Sequence, residues 1–94
     1  MSKRLVERRL RQVGQRLKSL REELRVIDEQ YAHLADEAND LELRALVAET
    51  PAAGVEHRDA QRHAEAMGRH RAEVQAAIAE LEAKQDQLLE RLVR

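Results

Sequence analysis

Cysteine is absent from this 94-residue chain, which excludes a disulfide framework, a thiolate metal site and a cysteine nucleophile. Aromatics are almost missing as well: Tyr31 stands alone, with no Phe or Trp. Compact cores of this length normally bury large aromatic surfaces, so their scarcity points to a thin aliphatic seam. There is one proline, Pro51, and only three glycines, so the chain has few places to turn. No apolar run is long enough to cross a bilayer, and the amino terminus has no hydrophobic signal core, so cytoplasmic residence without membrane contact is expected. The serines are Ser2 and Ser19, with no G-x-S-x-G and no glycine-rich phosphate loop. The expectation is therefore a non-enzyme without catalytic residues, cofactor or metal.

What fills the chain is charge, at 37 % of residues, and helix formers: Ala, Leu, Glu, Arg and Gln. The preference for arginine over lysine, with abundant alanine, fits a GC-rich bacterial genome. Through these residues runs an apolar ladder with alternating steps of three and four: Val6, Leu10, Val13, Leu17, Leu20, Leu24, Ile27, Tyr31, Leu34, Ala38, Leu41, Ala45, Ala48. That spacing keeps one narrow stripe facing a neighbouring helix, as in a coiled coil. A second ladder follows Pro51: Ala60, Ala64, Met67, Arg71, Val74, Ile78, Leu81, Gln85, Leu88, Leu92.

The fold expected is all-α, a single antiparallel two-helix coiled-coil hairpin over residues 1–94, able to pair into a four-helix dimer. Helix 1 should span about 3–49 behind a Ser2 cap, the turn about 50–55, and helix 2 about 56–93. Thr50 precedes proline and disfavours the α region, and Thr50-Pro51 also suits the cap and first position of a helical turn. Folding back around positions 52 and 53 pairs Leu17 with Leu88, Leu24 with Leu81, Ile27 with Ile78 and Tyr31 with Val74. Ala38 then faces Met67 and Leu41 faces Ala64, large against small. On the flanks Arg21 falls beside Glu82, Glu23 beside Lys84, and Gly14 leaves room for Leu89. A two-helix seam is marginal alone, so a second layer is expected, from a homodimer or a protein partner. Spare apolar positions off the seam include Val26, Ala32, Ala35, Ala76, Ala77, Leu89 and Val93.

Arg71 and Gln85 interrupt the second ladder. The preferred reading lays the Arg71 stem along the seam opposite Leu34, with its guanidinium reaching Asp36 or Glu37. Gln85, facing Leu20, reads as a tolerated polar layer. His33, His57, His63 and His70 lack the three- or four-residue spacing of helical metal ligands and read as solvated flank residues.

Charge is strongly polarised behind a net charge of −1. Residues 1–25 carry nine basic groups against three acidic, and residues 26–60 carry nine acidic against two basic. In a hairpin Lys3, Arg4, Arg8, Arg9 and Arg11 come near Arg91 and Arg94, making a basic docking end. An acidic protein surface suits it better than nucleic acid, because aromatics to stack on bases are missing. At the tip, Glu49, Glu56 and Asp59 stand beside Leu43, Leu46, Val47 and Val55, apolar residues that the seam does not use. Two readings stay open for them: a partner-contact patch, or internal closure of the turn.

The function expected is that of a non-catalytic coiled-coil adaptor or regulator acting through protein–protein contacts. One alternative is an accessory factor of a nucleic-acid machine: an acidic-tipped hairpin resembles in outline the coiled-coil finger of factors that enter the RNA polymerase secondary channel. The other is a structural coiled coil that self-assembles, basic base against acidic tip.

Overall fold

A computed structural model describes residues 2–93. Two helices account for nearly all of them: α1, Lys3–Ala48, and α2, Pro51–Val93. They pack against each other as an all-α helical hairpin, and no strand occurs among the described residues. Contacts gather the chain into two compact units. One takes the residues up to Leu24 with those from Glu73 onward; the other is Arg25–Ala72 and holds the turn.

Ser2 starts α1 as expected. Its Oγ accepts from the Leu5 amide at 3.2 Å and its carbonyl from the Val6 amide at 3.1 Å, satisfying donors that the first turn leaves free. The turn is shorter than the sequence suggested, with only Glu49 and Thr50 between the helices. Glu49 adopts φ 54°, the left-handed conformation that ends many helices, and its amide still donates to Ala45 O at 3.1 Å. Thr50 then caps α2 through Oγ1, which accepts from the Ala53 amide at 3.2 Å, with Pro51 as first helical residue. Five residues expected in the turn, 51–55, are therefore helical. The Thr50 cap together with the proline outweighed the glycine at 54.

Burial follows the two ladders. In the unit containing the helix ends, Val6, Val13, Leu17 and Leu20 are buried from α1, and Val74, Ile78 and Leu88 from α2. In the turn-containing unit, Ile27 and Ala38 are buried, with Leu34, Leu41, Ala60, Ala64 and Met67 half-buried. Every ladder position is at least half covered except Ala48, which is exposed.

The pairing differs from expectation by about one layer of the seam in the turn-containing unit. Tyr31 lies against Gly68 and beneath Arg71 rather than against a residue three positions further on. Ala38 lines one groove with Ala64, and Leu41 another with Ala60. The shortened turn is the cause, because a connector ending at Thr50 draws the start of α2 back along α1. In the other unit Leu20 lines a groove with Leu81 and Lys84. Arg21 does meet Glu82, at 3.6 Å. Gly14 does not accommodate Leu89: a Cβ placed there has nothing within 4 Å, and Leu89 is 46 % exposed.

Candidate functional site

Three places were singled out from sequence: the tip, the basic end and the Arg71 interruption. The tip belongs to Arg25–Ala72. Leu43, Leu46 and Val47 sit in the last turns of α1, spaced three and four apart but off the seam, so helical geometry points them outward. They are 63 %, 68 % and 87 % exposed, and Val55 from α2 is 48 % exposed. The internal-closure reading therefore fails. The two-residue turn is already closed by Glu49 and Thr50 backbone geometry and gives these side chains nothing to cover.

Leu43 and Val47 form one wall of a shallow groove, with Arg44, Ala48, Ala53 and Glu56 completing it. Its surface is almost wholly apolar, with Arg44 and Glu56 as its charged members; Glu49 and Asp59 are exposed as well. Asp59 is tied to Arg62, one turn along α2. A neighbouring groove brings Glu37, Glu56 and Asp59 together with His63. Among the described residues, no group of three or more side chains is placed to hold a metal ion.

The basic end belongs to the other unit. Lys3, Arg4, Arg8, Arg9, Arg11 and Arg91 are all exposed; Arg94 lies outside the described residues. No acidic residue occupies the first turn of α1, so Lys3 and Arg4 stand where the helix dipole disfavours cations. Leu5, Leu89 and Val93 add exposed apolar surface at 36 %, 46 % and 83 %.

Arg71 reaches neither Asp36 nor Glu37. Its Nε donates to Asp28 Oδ1 at 2.5 Å, and its guanidinium lies 5.7 Å from the Tyr31 ring centroid. Gly68 makes this possible: a Cβ there would stand 3.1 Å from Tyr31 Cε2. The one aromatic side chain thus sits in a notch cut by a glycine and covered by a cation, a lock on register rather than an open site.

His57 was missed by the flank reading. It is half-buried and lines a groove with Glu42, Gln61, Ala64 and Glu65, because the second ladder continues back through His57 to Ala53 once α2 begins at Pro51. The spacing 53, 57, 60, 64 carried that signal in the sequence.

No helix of the described residues is long and apolar enough to cross a membrane. Comparison with protein-family models, curated proteins and solved structures gave no match.

Proposed function

We propose that this chain is a non-catalytic helical hairpin that works by protein–protein contact, an adaptor or regulator whose tip meets the partner. The observation that carries the reading is the group Leu43, Leu46 and Val47, exposed at 63 %, 68 % and 87 % beside the turn. Scattered apolar residues on a surface are ordinary, but here Leu43 and Val47 wall one apolar groove bordered by Arg44 and Glu56, with Leu46 exposed beside them in the same turns of α1. Such an arrangement supplies desolvation energy at its centre and orientation at its edge. The mixed, open grooves along the helices offer no enclosed chamber for a small substrate.

The test is affinity capture from the native cell, with the wild type beside a Leu46→Glu/Val47→Glu variant. Both positions are exposed, so helicity by circular dichroism stays unchanged. The reading requires specific proteins on the wild-type chain that the variant loses. Identical captured sets on both chains would remove the tip from the function.

A further inference from the structure

The cations at the start of α1 are not spread evenly around the helix. At ~100° per residue, Arg4, Arg8, Arg11 and Lys18 fall within about 80° of arc, on the side away from the buried Val6, Val13 and Leu17. All four are exposed, and none forms an ion pair with another described residue. Exposed Gln15 and Ser19 complete the face, half-buried Glu7 borders it, and Glu22 closes it. The exposed Leu5 falls outside that arc. From Arg4 to Lys18 the stripe runs about 21 Å at 1.5 Å per residue. We propose that this face of α1 binds the phosphate backbone of double-stranded DNA, without reading its sequence.

Helix stability does not account for the stripe. Arg4 with Arg8, and Arg8 with Arg11, are like charges at spacings of four and three, which weaken a helix. Further along α1 a cation is answered within the helix, Arg25 bonding Glu29 at 2.8 Å. The stripe also begins at the positive end of the helix dipole, with no acid in the first turn, and a polyanion would relieve both costs. Two features favour a duplex over an acidic protein. The face is polar throughout, whereas a protein interface needs an apolar centre and is poor in lysine. Three of its four cations are arginines, whose forks grip phosphate oxygens in pairs. Duplex DNA carries a negative charge every ~1.7 Å of its axis, so a straight stripe meets phosphates at any register. The missing aromatics weigh against gripping unpaired bases, but a backbone contact has no use for them.

Fluorescence anisotropy of a labelled duplex of about 20 base pairs and arbitrary sequence tests this on the full chain. Binding should appear at low salt, and log K should fall linearly with log salt at a slope of about −3.6 for four phosphate contacts. Arg8→Gln/Arg11→Gln should weaken binding at least about tenfold at ~0.1 M salt and bring the slope to about −1.8. The control Arg58→Gln/Arg69→Gln removes the same charge from exposed positions of the other unit and should leave affinity within about twofold. All four positions are exposed, and circular dichroism checks that the helices persist. No binding at about 100 µM chain in ~0.03 M salt, or an equal loss in the control, overturns the proposal. Tighter binding to phosphatidylserine vesicles or to polyglutamate than to the duplex overturns it too, because the stripe would then serve a membrane or an acidic protein. The tip lies in the other unit and takes no part, so any of these failures leaves its contact role as it stood.

Discussion

At the scale of single residues, the glycines separate three situations. Gly14 has open space where a side chain would go, so Gly14→Ala should raise stability by about 1 kcal/mol through helix propensity alone. At Gly68 the same change meets Tyr31 at 3.1 Å, and the gain should be smaller or reversed in urea titration. Gly54 stands between them, with the flexible Arg58 Nη1 at 3.4 Å. The Arg71–Asp28 pair invites a double-mutant cycle. Both side chains are partly exposed, at 39 % and 46 %, so a coupling of about 0.5–1 kcal/mol is expected. Arg71→Ala should cost more than Asp28→Asn, since it also uncovers the Tyr31 ring. That Arg71 would lie along the seam was legible from its place in the ladder. Its partner was not, because Asp28, Asp36 and Glu37 differ only by register, and register waits on the length of the turn.

At the scale of elements, the two helices and their seam were readable from spacing, and the Ser2 cap from residue type. The boundary of α2 was not. Gly54 suggested a longer turn, whereas Thr50 and Pro51 together make a helix start strong enough to absorb the glycine. Thr50→Ala should therefore cost about 1 kcal/mol, measured by thermal unfolding. Glu49 predicts the opposite sign. Held at φ 54°, it carries a left-handed strain of about 1–2 kcal/mol, and Glu49→Gly should stabilise the hairpin by about 1 kcal/mol after the entropy of glycine is subtracted. The exposed tip leucines were legible as off-seam positions, but whether the turn would fold over them depended on a connector too short to do so.

For the molecule as a whole, cohesion rests on a thin aliphatic seam rather than on ion pairs. Arg21–Glu82, at 3.6 Å with both partners about half exposed, contributes little in water. Leu17, 1 % exposed, should cost about 2–4 kcal/mol when truncated to Ala, enough to consume much of a small domain's stability. Leu46→Ala, at 68 % exposure, should fall within about 0.5 kcal/mol in the same denaturation assay. The two-residue connector also constrains how this chain can change length. With no slack between Ala48 and Pro51, one inserted residue would swing the following arm by roughly 100° and carry its greasy stripe out of register. Insertions or deletions tolerated within the paired arms should come in matched blocks of about seven residues, one in each arm at the same level, so kindred sequences should differ between their outermost seam positions by steps of about fourteen.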